Sequence, residues 1–360
     1  MNTPDGNAIV YCQGAFNTTY GKTAHGLVRF TKRYNILTVI DSNYSGQDAL
    51  FVLDGKQGGI PVTASLSEAI ELSKSINKKP THFVIGLAPD GGKLSKEAKK
   101  NVKEALANNL NVDSGLHDFL SEDEELAKLA EEKHVQIRDV RKPIPRNKLH
   151  FFEGKIENVD SLKIAILGTD SAIGKRTTAW IIVNELNKKN IKSEMVGTGQ
   201  TAWMQGAKYS LIMDSIVNDF VSGEIENMVY EAWENEKPKV IVIEGQGSLM
   251  NPAYPGGFEI LAAGRPDIII LQHAPARKEY DGFPGYALHS LDRQIQVIEL
   301  LSGKPVVAVT LNHEDLDLKA VPELCKELTR TFNLPFYDVL LNGADDLLKQ
   351  IISYISDKSK

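Results

Sequence analysis

Short apolar runs alternate with stretches of helical period from one end of the chain to the other. This alternation predicts an α/β fold, in which each buried parallel strand is followed by a helix that covers the sheet. In the first part, residues 8–12, 36–40, 82–86, 111–112 and 135–140 are expected as strands. Residues 66–76, 96–108 and 122–133 are expected as helices, the last with acidic residues early and lysine late, as the helix dipole prefers. In the second part, strands are expected at 163–167, 193–196, 240–244, 267–272, 306–310 and 336–339, and helices at 175–189, 215–235, 291–302 and 321–332. Val240-Ile-Val-Ile and Ile268-Ile-Ile-Leu lack polar alternation, so these strands are buried on both faces. Arg141-Lys-Pro-Ile-Pro-Arg146 can continue neither a helix nor a central strand. We therefore expect a Rossmann-like parallel-sheet domain over 1–145, a linker over 146–160, and a P-loop NTPase-like parallel-sheet domain over 161–356, followed by a polar tail.

Composition narrows the setting. The 360 residues are 42% apolar and 24% charged, enough chain for two ordinary cores. A net charge of −6 argues against nucleic acid or an anionic membrane as the main partner. The 2 cysteines, Cys12 and Cys325, rule out a disulfide framework or a cysteine zinc site and fit a reduced compartment. The N-terminal residues lack a basic and apolar leader, and no apolar run approaches the roughly 20 residues that span a bilayer. A cytoplasmic protein acting on a small molecule is expected, assembled as a homo-oligomer.

The strongest chemical signal is Gly168-Thr169-Asp170-Ser171-Ala172-Ile173-Gly174-Lys175, lying between an expected strand and an expected helix. A phosphate needs converging backbone N–H donors, a helix N-terminus behind it and a lysine to neutralise it; glycines let the backbone approach. The residue after the lysine is usually the Ser or Thr that ligates Mg²⁺, but here it is Arg176, with Thr177 and Thr178 behind it. Either Thr177 takes that role through a shifted turn, or phosphates are held without a metal.

Further polar groups fall where strands end, the edge at which parallel sheets bind ligands. Glu244 closes one apolar strand, as a metal ligand or a general base, and is followed by Gln246 and Ser248. Gln200 follows another strand. His273 ends a third, as a candidate base, with Arg277 four residues on to clamp a carboxylate. Asn312 ends a fourth, where a nucleotide base is commonly read. In the first domain Asp41 ends a strand, but the dinucleotide fingerprint is absent; Lys22, Asp41 and His117 are expected to gather at one sheet edge and face a cleft.

These residues carry two resemblances. The phosphate loop is similar to the G-T-D-x-x-x-G-K-T motif of dethiobiotin synthetase, departing at Arg176. Nearly the whole chain resembles a two-domain family long catalogued as of unknown function, which includes D-glutamate N-acetyltransferases. That likeness rests on Gly86-Leu-Ala-Pro-Asp-Gly-Gly92, Ser114-Gly-Leu-His117, Thr198-Gly-Gln-Thr201, Glu244-Gly-Gln-Gly-Ser-Leu249 and Pro252-Ala-Tyr254. Asn251 stands where the family usually shows His, and Arg176 where it shows Met. The resemblance implies acetyl transfer from acetyl-CoA to an amino-acid amine, D-glutamate foremost. The loop would hold the CoA phosphates, Glu244, His273 or Lys22 would act as catalytic groups, and Gln200, Gln246, Ser248 and Arg277 would bind substrate. Backbone N–H groups after Glu244 would receive the oxyanion, without a metal. The alternative is ATP-dependent ligase or kinase chemistry, with Asp170, Thr177 and Glu244 around Mg²⁺. A non-enzymatic nucleotide switch is the third possibility.

Overall fold

In a computed structural model, residues 3–358 of the protein are described. The first two residues and the last two, the end of the expected tail, lie outside the described residues. The chain forms two compact units: residues up to Pro143 with Gln200–Ala207, and Ile144–Gly199 with the chain from Lys208 onward.

The first unit contains strands β1 (Gly6–Tyr11), β2 (Tyr34–Ile40), β3 (Val62–Thr63), β4 (His82–Ile85), β5 (Asn111–Ser114) and β6 (Ile137–Asp139). They form one parallel sheet in the order β3-β2-β1-β4-β5-β6, the Rossmann arrangement. Successive residues of β1 feed opposite layers, Ile9 and Tyr11 into one core and Ala8 and Val10 into the other. That two-sided burial is why the strand reads as continuously apolar.

The eight residues Gln200–Ala207 pack in this unit for local reasons. Arg33 lies over the Trp203 ring, 3.8 Å from its centroid, and its Nε donates to the Trp203 carbonyl at 2.7 Å. Gln205 Nε2 donates to the Gly26 and Phe30 carbonyls at 2.7 and 2.9 Å. Thr23 and Thr201 share a buried hydroxyl–hydroxyl bond of 3.1 Å.

The second unit contains β7 (Leu162–Gly168), β8 (Ser193–Gly197), β9 (Tyr209–Ser210), β10 (Val240–Glu244), β11 (Ile268–His273), β12 (Val306–Leu311) and β13 (Phe336–Tyr337). Their order is β13-β12-β11-β7-β10-β8-β9, again all parallel. The strand that carries the phosphate loop is therefore central, between β11 and β10. Residues 146–160, expected as a linker, belong to this unit. Ile156 and Val159 are buried in its core, and Glu226 on the helix Asn218–Glu236 accepts the Glu153 and Ile156 N–H groups at 2.7 and 3.1 Å. A helix runs over Asp345–Lys358, burying Leu347, Leu348 and Ile351 and reaching two residues past Ser356, where the tail was expected to begin. Cys12 and Cys325 are both free thiols. Among the described residues no helix is long and apolar enough to cross a membrane.

Candidate functional site

Every residue of β7 is buried, and the chain leaves it at the carboxyl edge between its two parallel neighbours. The loop then turns sharply: Ala172 and Gly174 have φ of 55° and 104°, and Gly174 caps the helix Lys175–Lys188. A Cβ at 168 would lie 2.8 Å from Lys175 Cδ and 2.9 Å from its Nζ, so any other residue would displace the lysine side chain. The lysine side chain thus crosses bare backbone. Lys175 is buried, at 7% exposure, and its ammonium donates to the carbonyls of Asp170 (2.5 Å) and Gly247 (2.8 Å).

Asp170 is the centre of this edge. It is fully buried, and its carboxylate accepts four N–H donors. Ser171 N (2.7 Å) and Asn251 Nδ2 (3.0 Å) bond Oδ1, while Arg277 Nη1 (2.8 Å) and Asp281 N (2.9 Å) bond Oδ2. Arg277 is itself held by a fork to Glu314 and by the Ser171 carbonyl at 2.9 Å. Asn312 Nδ2 donates to Glu314 at 3.2 Å, and the Glu314 N–H returns to Asn312 Oδ1 at 3.0 Å. One chain of contacts, Asn312–Glu314–Arg277–Asp170–Asn251, ties the loops after β12, β11, β7 and β10 together. Arg277 and Asn312 thus organise the phosphate loop, where we expected a carboxylate clamp and a base reader. Asn251 also accepts the Ala253 and Tyr254 N–H groups at 3.0 and 2.8 Å, so it shapes the loop after β10.

The two candidate bases differ. Glu244, at the end of β10, is 4% exposed and accepts the Thr198 N–H at 2.9 Å. Burial raises its pKa above the usual carboxylate range, against the charges of Arg176 and Lys175 and the N–H groups of Thr198 and Gly199. His273 goes the other way: burial, reinforced by the Lys278 charge, lowers it to about 4. Its Nδ1 pairs with Thr169 Oγ1 at 3.0 Å. A base expected near neutrality is held as neutral imidazole instead.

The remaining candidates divide by role. Thr178 Oγ1 and Thr310 Oγ1 both donate to the buried Gln272 Oε1 at 2.6 Å, which locks the helix after the loop onto β11 and β12. Ile173 is buried packing, and Thr177 is half-buried on the first helical turn beside Arg176. Gln246 Nε2 donates to Thr198 Oγ1 at 2.9 Å. The Ser248 N–H is taken by the Tyr254 carbonyl at 3.3 Å, so the backbone oxyanion donor expected there is occupied. Gln200 and Lys22 belong to the first unit, where Gln200 packs against Gly115 and Lys22 opens the helix Lys22–Arg29. There Asp41 is fully buried and accepts the Phe16 and Asn43 N–H groups at 2.9 and 3.0 Å, which fixes two loops. No cluster of three or more His, Cys, Asp or Glu side chains is arranged to hold a metal ion among the described residues.

Comparison with known proteins agrees with this architecture. Residues 42–143 match the Rossmann-like N-terminal domain, and residues 150–348 the P-loop C-terminal domain, of DUF1611, described as a domain of unknown function. The chain is 29% identical over 276 residues to a D-glutamate N-acetyltransferase of a Pseudoalteromonas species, covering 75% of this chain and 80% of the relative. It is 32% identical over 272 residues to a D-glutamate N-acetyltransferase of Tritonibacter scottomollicae, covering 74% and 79%. The crystal structure of a DUF1611 family protein from Anabaena variabilis ATCC 29413 aligns with a TM-score of 0.87 at 27% identity, over 97% of this chain and 99% of that one. With both domain types matched in order and a relative above 30% identity, the chain belongs to the two-domain DUF1611 family.

Proposed function

We propose that the protein is an N-acetyltransferase that moves the acetyl group of acetyl-CoA to an amino-acid amine, D-glutamate being the first acceptor to test. The observation that carries this reading is the buried carboxylate of Glu244, with raised proton affinity, beside a phosphate-binding loop and its lysine. The two relatives named D-glutamate N-acetyltransferase support the choice of acceptor.

The CoA phosphates would lie on the N–H groups of residues 168–174, with Lys175 turning from the Asp170 and Gly247 carbonyls to meet them. An amine is mostly protonated at neutral pH, so a base is needed. A histidine with a pKa of about 4 holds a proton too weakly for that task. Glu244 is the better match. Arg277 is already bound to Asp170 and Glu314; Arg176, whose charge acts on Glu244, is the cation beside the proposed base and is assigned to the acceptor's carboxylates. ATP with Mg²⁺ is disfavoured by the chemistry of Asp170: its two oxygens already accept four N–H donors and offer a metal little.

A thermal-shift panel with acetyl-CoA, and with ATP in the presence and absence of Mg²⁺, tests the reading. A ligand at 100 times its Kd stabilises by about 2.7 kcal/mol. Stabilisation by acetyl-CoA that persists in EDTA is expected. Stabilisation by Mg-ATP alone would overturn the proposal.

A further inference from the structure

Two buried hydroxyls face one another at the phosphate-loop edge. Ser248 and Tyr280 are 2% and 4% exposed, and neither Ser248 Oγ nor Tyr280 Oη makes a hydrogen bond of ordinary geometry, although each lies beside the other and Tyr280 Oη lies near the His289 N–H. An unmet buried hydroxyl costs about 1–3 kcal/mol, and most buried polar side-chain atoms find a partner, so a neighbouring pair of them calls for an explanation.

Their positions supply one. Ser248 follows Gly247, whose carbonyl holds the Lys175 ammonium. Tyr280 precedes Asp281, whose N–H is bonded to Asp170. The two hydroxyls therefore come from the loops after β10 and β11, which flank the phosphate loop and are pinned to it through Asn251 and Arg277. The tyrosine is held rigidly. Its N–H bonds the Tyr286 carbonyl at 2.9 Å, its carbonyl accepts the Phe283 N–H at 3.0 Å, and its ring meets His289 edge-on with centroids 6.3 Å apart. The hydroxyl lies beside Ser248 and the His289 N–H, and burial, with the Asp170 charge, raises its pKa against those two contacts, so it stays protonated and able to donate at neutral pH. The Asp170 charge is itself offset by Arg277.

We propose that Ser248 Oγ–H and Tyr280 Oη–H are the donor pair that receives the acyl carbonyl oxygen as it becomes an oxyanion. This rests on the acetyl-transfer reading. The acceptor nitrogen bonds to the thioester carbon, and the C=O π pair moves onto the oxygen, where the two hydroxyls donate to it. The amine proton passes to Glu244. Collapse restores the C=O bond and breaks the C–S bond, and the CoA thiolate leaves with the proton returned from Glu244. Donors fixed before the charge develops need no reorganisation when it does.

The test compares Tyr280→Phe and Ser248→Ala with the wild type in acetyl transfer to D-glutamate, together with the melting temperature of each ligand-free protein. Loss of one oxyanion donor lowers kcat by about 10²–10³-fold. That loss is expected for each variant, with the KM for acetyl-CoA little changed and the ligand-free melting temperature equal to or above wild type. A lowered melting temperature with kcat intact would overturn the proposal, because the hydroxyls would then be structural. Wild-type activity with both variants fully active and equally stable would sink the donor pair while leaving the transferase reading in place. No transfer by the wild type would remove the transferase reading, and the oxyanion role with it.

Discussion

Replacing Asp170 by Asn is the sharpest perturbation of the site, because it keeps the shape and removes the charge. The carboxylate is fully buried and accepts four N–H donors, two on each oxygen. An asparagine must turn one of those acceptor positions into an NH₂ group. That group then faces either Ser171 N and Asn251, or Arg277 and Asp281 N. Rotating the Asn251 amide does not solve the conflict, since its Oδ1 holds the Ala253 and Tyr254 N–H groups. Breaking a buried ion pair costs about 3–5 kcal/mol. Arg277 keeps Glu314 as a partner, so the lower end applies, about 3 kcal/mol. For a unit of this size that corresponds to a fall in Tm of roughly 6–12 °C. Urea and thermal unfolding of the full chain, followed by circular dichroism and tryptophan fluorescence, measure it. Adding Arg277→Gln to the variant should cost much less than it does in the wild type, because the partner is already gone. A loss below about 1 kcal/mol, or additive effects of the two substitutions, would refute the central place given to Asp170.

Two further outcomes are expected. His273 has a folded pKa of about 4 against an ordinary 6.5, so its contribution to stability is present above pH 6.5 and is lost as pH falls toward 4. The loss is about 3 kcal/mol in all, of which about 2 falls between pH 7 and 5. His273→Asn should flatten the pH profile of urea stability by that amount, and an unchanged profile would contradict the buried neutral ring. Lys175→Ala should remove acetyl-CoA stabilisation and also lower ligand-free stability by about 1–2 kcal/mol, since the Asp170 and Gly247 carbonyls lose their donor. Full ligand-induced stabilisation in that variant would contradict the role of the loop.

The fold was largely legible because both sheets are buried on two faces. Long apolar runs such as Val240–Glu244 and helices such as Leu291–Ser302 and Val321–Phe332 declare themselves by pattern alone. The two-residue strands β3 and β9 carry no pattern to read, and the short helices Ala49–Asp54 and Phe258–Gly264 are scarcely longer than their caps. The phosphate loop could be placed because glycine and lysine are required at fixed spacing. What the sequence concealed was partnership. Nothing local marks Arg277 as bound to Glu314 and Asp170, or distinguishes the acid-shifted His273 from the base-shifted Glu244, because those effects come from burial and from residues distant in the chain. Tyr280 lies in a loop without periodicity and is revealed only by its burial, and Asn251, marked in the sequence only as a departure from the family pattern, takes its meaning from its bond to Asp170.

The most direct measurement is mass-spectrometric detection of N-acetyl-D-glutamate after incubation with acetyl-CoA and D-glutamate in EDTA, for the wild type and Glu244→Gln, over about pH 6 to 9. Metal-independent product formation by the wild type is expected. The variant should lose about 10²–10⁴-fold in kcat, with acetyl-CoA affinity little changed. Absence of acetylated product, or a variant as fast as the wild type across that range, would contradict acetyl transfer with Glu244 as base.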